Sequence, residues 1–600
     1  MKKIRNIAII AHVDHGKTTL VNQLLRSSDT FRTNEILQDR AMDSNDLERE
    51  KGITILAKTT AIKYQDYQIN ILDTPGHADF GGEVERIMCM VDGCLLLVDA
   101  WEGTMPQTRF VLKKALEAKI KPIVIVNKMD KANIEPKKIV DQILELFISL
   151  NAPSEFLDFK VIYISALKGT SSFDSDPSTQ TIGMKKVLDT IINEIPAPKV
   201  VDGPFKWQAT LLDHNNFVGR LGVGVIKRGH VKVNDYVVAL RSDGTKTKFK
   251  ILKLFGYLGL KRIEIQEAQA GEIVAIAGLN DLNIGETLCD PQFLEAEKPL
   301  KIEEPTLQMF LAANTSPFVG QDGTFVTARL LEERLLLETQ KDVALKVKRI
   351  TNQDTWMVVG RGELHLSILM EKMRRDGYEF EVSKPIPIIK EINGQKYEPY
   401  EDVYIEVSSE YQGTIIETLG NRGAELISMT ENNNLIRFNY VISSRGLLGL
   451  TTLFLTLTRG YGVLAHSYKE YRPLSNKKIP ERSLGVLVAT ATGVATSYAI
   501  EKIENHGTVF IKPGTNCYAG MIIGEHCYNS DLNVNVTLEK HKTNVRASKD
   551  NSILLKEPRK MSLEDCLDYI NLDELVEITP LNLRMRKKIL DANKRKQNKR

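Results

Sequence analysis

Residues whose types and spacing can do chemistry gather in the first 170 positions. Ala11–Thr18 reads AHVDHGKT, a Gly-Lys-Thr loop between an apolar run and a helical pattern. Such a loop points the backbone N–H groups of His15, Gly16 and Lys17 at phosphate, with Asp14 and Thr19 at its flanks. Lys17 supplies a cation for the β- and γ-phosphates, and the Thr18 hydroxyl suits Mg²⁺. The pattern opens on Ala11 where the standard loop has glycine, which costs backbone freedom there. Asp73–His77 reads DTPGH. A carboxylate at a strand end can hold Mg²⁺ through water. Gly76 lets a backbone N–H approach a γ-phosphate, and His77 either orients the attacking water or caps a helix. Asn127–Asp130 reads NKMD. The Asp130 carboxylate accepts hydrogen bonds from the ring N–H and exocyclic amine of guanine, a pattern adenine reverses, so the motif selects GTP over ATP. Asn127 and Lys128 belong to the same loop. Ser165, Ala166 and Leu167 fit a loop whose backbone N–H reads the guanine carbonyl. Arg49–Ile55 reads REKGITI, in which Thr54 is a candidate Mg²⁺ ligand sensing the γ-phosphate; an ordinary charged loop before a strand is the alternative.

These loops need rigid elements to hold them. IRNIAIIAH, YQINILDTP, CLLLVDA, KPIVIVNK and FKVIYISA are short β-branched runs, expected as strands buried on both faces of a parallel sheet. Helical periods at Lys17–Ser27 and Gln107–Ala118 separate them, which predicts a doubly wound α/β domain over residues 1–198. The proline-rich stretch IPAPKVVDGP closes it. Residues 203–292 alternate over short runs between Gly, Asn and Asp turns, which reads as an antiparallel β-barrel. Residues 305–387 and 398–474 each carry a βαββαβ order, the pattern of a ferredoxin-like α+β module. Residues 478–600 mix short strands, glycine turns and a late helical pattern, and match no standard fold by pattern.

Six hundred residues require several domains, and a hydrophobic share of 42% with 26% charged residues is that of a globular chain. No run of about 18 uncharged apolar residues predicts a membrane helix. The opening MKKIRNIAII passes straight into the phosphate loop, so no signal peptide is expected. The six cysteines form no CxxC pair, hence neither a zinc site nor a disulfide framework is expected, and a reducing cytoplasm is the simplest compartment. The net charge of +3 says little, but RMRKKILDANKRKQNKR at the end holds one acid among many bases. That tail suits a polyanionic partner; a solvated end is the alternative.

Taken together, AHVDHGKTT, REKGITI, DTPGH and NKMD resemble the translational GTPases. NTSPFVGQDGTFVTARLLEERL and GRGELHLSILMEKMRRDGYEFEVSKP look like the third domain of that group. RGLLG, PGTNCYAGMIIGEH, DLNVNV, KTNVRAS and DELVEITP resemble the BipA/TypA family, and the resemblance covers essentially the whole chain. It implies a GTP-hydrolysing, Mg²⁺-dependent switch that binds the ribosome (70S, 50S or both), with rRNA and tRNA within reach, as a cytoplasmic monomer serving translation under stress or 50S assembly. It implies Val13 and Ile53 as a hydrophobic gate around the catalytic His77. The candidate RNA contacts are Lys542 and Arg546 of KTNVRAS, with Arg584, Arg586, Lys587 and Lys588 of the tail. Elongation factor G has an extra domain between its third and fifth; here EVSKPIP passes almost directly into EPYEDVYIEV, which disfavours an ordinary translocase. Two further readings are a GTP-gated RNA-binding module in which hydrolysis only resets binding, and a free-standing GTPase with a protein partner.

Overall fold

The computed structural model describes residues 3–12, 14–28, 46–51, 58–75, 81–215, 217–241, 243–300, 305–342, 344–351, 353–432, 434–477, 479, 482–539 and 555–598. They fall into two compact units, Met1–Glu303 with Gln340–Val343, and Glu304–Thr339 with Ala344–Arg600. No helix of the described residues is long and apolar enough to cross a membrane.

In the first unit, strand Lys3–Ala11 lies between Tyr67–Asp73 and Gly93–Asp99, parallel to both. Lys121–Asn127 and Val161–Ser165 extend the parallel run. Alternation along these strands sends Ile7, Ile9, Leu95, Leu97, Ile123 and Ile125 to one face, against Leu20, Leu24, Val187 and Ile191. Ala8, Ile10, Leu96, Val98, Val124 and Val126 go to the other, against Val84, Ile87, Leu112 and Ile143. With both faces covered, continuous apolar runs are what the strands require. Helices Lys17–Arg26 and Pro106–Glu117 lie within a residue of the expected ranges. The sheet is mixed rather than purely parallel. Lys58–Tyr64 pairs antiparallel with Tyr67–Asp73, and Thr170–Ser172 and Thr181–Ile182 add antiparallel strands at the far edge. The hairpin before Tyr67 escapes sequence reading because its turn, Gln65-Asp66, has no glycine: Gln65 itself adopts φ 52°.

Residues 206–289 form an antiparallel sheet, with a separate pair of His230–Lys232 and Glu267–Gln269 beside it, and Trp207, Ala239, Leu254, Val274 and Leu288 lie in its core. Gly224 must be glycine, since a Cβ there would lie 2.0 Å from the Gln208 carbonyl oxygen. The opposite side of the sheet, through Val223, Val225, Ile273 and Ala275, joins the apolar cluster of the α/β domain. Polar pins flank that contact: Asn6 Nδ2 donates to Gly271 O at 3.1 Å, Lys227 Nζ donates to Cys89 O at 3.0 Å, and Ala61 bridges Gly259.

In the second unit, Leu307–Ala313, Ala328–Lys341, Lys346–Arg349, Thr355–Gly360, Glu363–Arg375 and Phe380–Ser383 follow one another as βαββαβ. In the sheet their strands run fourth, first, third, second. Gln395–Ser408, Gln412–Asn421, Glu425–Asn432, Leu435–Ser443, Leu450–Leu457 and Val463–Pro473 repeat that order. Among the described residues, the C-terminal strands join an existing sheet, apart from a small pair of Gly493–Val494 with Asn516–Cys517. Phe380–Ser383 pairs antiparallel with Glu574–Ile578, so the first of these sheets continues through Leu583–Lys587, Met521–His526, Val486–Ala489 and Leu532–Val534. One apolar cluster serves both sides of the seam, with Phe380, Val382 and Met370 beside Ile522, Leu567, Val576 and Ile578. The late helical pattern forms helix Leu563–Tyr569, opened by a reciprocal Ser562–Asp565 cap.

Through residue 598 the basic tail forms a strand and a helix, and three of its expected RNA contacts need correction. Leu583–Lys587 is a strand paired on both sides. Arg584, Arg586 and Lys587 are buried within it. Arg584 is paired with Glu577 and Asp322, Arg586 with Glu381, and Lys587 with Asp531, Asp573 and Glu574. Their charge is spent inside the fold, because carboxylates up to 262 residues distant in sequence converge on the strand. Lys588 is exposed. Lys542 and Arg546 lie outside the described residues.

Candidate nucleotide site

Four loops meet where the parallel strands of the first unit end, the edge at which open α/β sheets bind ligands. Ala11 is the last residue of its strand, paired with Leu97, and needs no positive φ, so alanine replaces glycine there without strain. The turn itself puts Asp14 at φ 63° and Gly16 at φ 90°. Gly16 starts helix Lys17–Arg26 with no side-chain cap, and a Cβ on it would lie 2.5 Å from Asn127 Nδ2. Left-handed residues ahead of an uncapped helix start form a concavity of N–H donors suited to phosphate. Lys17 Nζ lies 2.8 Å from Asp73 Oδ1 and donates to Thr74 O at 2.6 Å. The Asp73 side chain is 2% exposed, and Thr74 Oγ1 anchors its loop to Ile9 O at 2.6 Å. A buried carboxylate, a lysine and the half-buried hydroxyls of Thr18 and Thr19 thus share one end of the sheet.

Asn127 ties the loops together. Its Nδ2 donates to His15 O at 2.8 Å, and its Oδ1 accepts from Ala166 N at 2.9 Å. Ser165 Oγ donates to Asp130 Oδ1 at 2.5 Å, which fixes one edge of the Asp130 carboxylate. Ala166 is buried beneath this bond, whereas Leu167 is 76% exposed. The structure therefore brings together Asp14, His15, Gly16, Lys17, Thr18, Asp73, Asn127, Lys128, Asp130, Ser165 and Ala166. Val13, Ile53, Thr54, Gly76 and His77 lie outside the described residues.

Sequence reasoning passed over a second layer. Asp99 ends its strand opposite Asn127. It is ion-paired with Lys128 at 2.6 Å and with Lys131 at 3.1 Å. Burial raises its proton affinity, but the Lys128 ammonium, the Trp101 N–H and the Lys131 ammonium outweigh it and hold the carboxyl below its usual range. The His15 ring, with Nε2 3.5 Å from Glu102 Oε2, holds the Glu102 carboxyl low. The available signal was an aspartate closing the otherwise apolar run CLLLVDA, in the position Asp73 occupies after INIL.

Comparison with known proteins assigns this architecture. Residues 2–197 match the Elongation factor Tu GTP binding domain, 219–289 match Elongation factor Tu domain 2, 395–482 the Elongation factor G C-terminus, and 484–592 the TypA/BipA C-terminal domain. The chain is 53% identical over 595 residues to the large ribosomal subunit assembly factor BipA of Bacillus subtilis (strain 168), covering 99% of this chain and 97% of that protein. The chain belongs to the TypA/BipA family. Another BipA, from Escherichia coli (strain K12), is 48% identical over 599 residues, with 99% and 98% of the two chains covered. A crystal structure from Thermus thermophilus shares the fold, with TM-score 0.54 at 16% identity over 79% of this chain and 98% of that one. Like the rest of the TypA/BipA family, this chain is a GTPase, built as a multidomain translational GTPase.

Proposed function

We propose that this GTPase associates with the ribosome and acts as a nucleotide-gated switch in large-subunit assembly, in translation under stress, or in both. The observation that carries the reading is the convergence of the phosphate loop, Asp73 and the NKMD and SAL loops at one sheet edge, in a chain matched end to end by proteins named large ribosomal subunit assembly factor. GTP would lie with its phosphates on Asp14–Thr19 and Gly76, and its base against Asn127, Lys128, Asp130 and Ser165–Leu167. Mg²⁺ would be held by Thr18 and Asp73, with Thr54 as a further ligand by sequence; the buried Asp73 carboxylate, which already holds one cation, Lys17, at 2.8 Å, supports this. When bound, the ion would offset charge on the phosphates. The chain's own part is positional. Lys17 would turn to the phosphates, and His77, gated by Val13 and Ile53, would orient the attacking water.

Residues 203–292 are read as the β-barrel, and 305–387 and 398–474 as ferredoxin-like modules, the parts presented to rRNA and tRNA. Lys588, Lys542 and Arg546 remain the candidate RNA contacts. A cytoplasmic monomer fits this reading. Co-sedimentation with ribosomes and with separate subunits, in a GTP analogue, GDP or no nucleotide, tests it. Association is expected with GTP analogue and not with GDP, and ribosomes should raise GTP turnover. Association indifferent to nucleotide would reject the switch, and turnover indifferent to ribosomes would leave a binding module whose hydrolysis only resets it.

A further inference from the structure

We infer that Asp99 is a positioning residue for the guanine base, acting through Lys128; this rests on the reading of NKMD as the guanine site. Asp99 is 0% exposed. A carboxylate so placed is tolerated only when it is paired and hydrogen-bonded. Its Oδ1 accepts from Trp101 N at 2.8 Å, and its Oδ2 lies 2.6 Å from Lys128 Nζ and 3.1 Å from Lys131 Nζ. The strand register brings it there, because Asp99 faces Asn127 across parallel strands, one residue before Lys128.

Lys128 is held at both ends. Its backbone sits at φ 65°, a left-handed conformation unfavourable for a residue with a Cβ. Such a conformation persists where the surroundings over-determine it. Here Asn127, on one side, is bonded to the phosphate loop and to Ala166, and Met129 N, on the other, donates to Ile164 O. Asp99 fixes the far end by clamping the ammonium. The Lys128 stem thus runs from the turn that also carries Asp130 to the Asp99 carboxylate. A lysine stem buries well against flat apolar surface while its head stays charged, so a clamped stem offers a ready wall for the face of a purine. Without the clamp, Lys128 is a flexible and strongly hydrated chain that must be ordered when nucleotide arrives. Glu102 makes no such clamp: it lies 4.0 Å from Lys131 and faces His15, and it acts on Lys128 only through longer-range attraction.

The test is a double-mutant cycle on the full chain, read by binding of fluorescent GTP and GDP and by steady-state hydrolysis. Asp99→Asn is expected to weaken GTP and GDP alike by about tenfold, the scale of one charge-assisted bond. KM should rise while kcat at saturation holds. Lys128→Met keeps the stem without the head, so it should lose a similar factor, and the double variant should lose no more than either single. Losses that multiply in the double variant, or wild-type affinity in Asp99→Asn, overturn the inference. If Asp99→Asn fails to fold, the decision passes to Lys128→Met against Lys131→Ala. A loss in the first and not the second supports the clamp, and the reverse refutes it. Asp130→Asn separates the underlying reading: wild-type GTP affinity there removes the guanine site itself, whereas a loss there with none in Asp99→Asn removes only the role of Asp99.

Discussion

Replacing Arg584 with methionine tests whether the C-terminal cations hold the fold or face a polyanion. Arg584 is 8% exposed. It donates to Glu577 Oε1 at 2.8 Å and to Asp322 Oδ2 at 3.0 Å, and its guanidinium lies 5.3 Å from the centre of the Phe318 ring. Methionine keeps most of the stem and removes the charge. Glu577, 0% exposed, then loses its cation but keeps two donors, Tyr518 OH at 2.7 Å and Asn314 Nδ2 at 3.2 Å. Breaking one partner of a buried pair costs about 3–5 kcal/mol, and the remaining donors place this case near ~3 kcal/mol. The second unit has about 290 residues, so at ~2.1 cal/mol/K per residue its melting transition should fall by about 5 °C. Hydrogen exchange localises the loss: peptides over 574–587 and 380–383 should exchange faster, and the strand at 121–127 should not change. Adding Glu577→Gln should recover part of the stability, because the amide oxygen still accepts from Tyr518 OH and Asn314 Nδ2 while the orphaned charge is gone. An unchanged melt combined with weaker, less salt-dependent ribosome binding would refute this account and return Arg584 to the surface.

Asp130→Asn should weaken GTP binding and shift preference toward xanthosine nucleotides, since the amide can donate to a ring carbonyl; titration with GTP and XTP checks it. His77→Ala should lower ribosome-stimulated single-turnover hydrolysis by about 10²–10⁴-fold, the range for a positioned acid–base or orienting group, with GTP affinity nearly unchanged. A near-wild-type stimulated rate would leave His77 a helix cap. Asp92, beside the contact between the α/β domain and the sheet of residues 206–289, is pushed up to about 6 by burial, against the lowering effect of Lys227 and Asn6. Because its folded value exceeds the unfolded one, the folded state binds the extra proton, and stability is lost as pH rises through about 6. Asp92→Asn should therefore melt higher than wild type at pH 7.5, with the gap closing toward pH 5; a gap independent of pH contradicts the assignment.

The nucleotide site was legible because its information is local. A phosphate loop needs a strand, a turn and a helix start within about twenty residues, and the residues that bond phosphate or guanine must sit on the turns themselves. Apolar runs likewise announced the five parallel strands, since burial on both faces leaves few polar positions, such as Asn6 and Asn70, to confuse the period. Asp99 was harder: as a single acid after an apolar run it becomes a clamp only once register sets it opposite Asn127. The Gln65-Asp66 hairpin was hidden for the same reason, because its turn rests on a strained φ that the strand pairing imposes.

The sequence by itself determined that the chain is a GTPase, which loops are candidates for its site, and that an α/β domain precedes antiparallel and α+β segments. Only the tertiary structure decided where three of the C-terminal cations go. Composition reads RMRKK as charge offered to a partner, yet Arg584, Arg586 and Lys587 meet Asp322, Glu381, Asp531, Asp573, Glu574 and Glu577 inside the fold. Nor does any local pattern announce that Phe380–Ser383 continues into Glu574–Ile578, past a whole intervening module. Hydrophobic period records which face of a strand is buried but not which strand lies beside it, and a charge is solvated or paired according to groups that folding, not sequence distance, brings near.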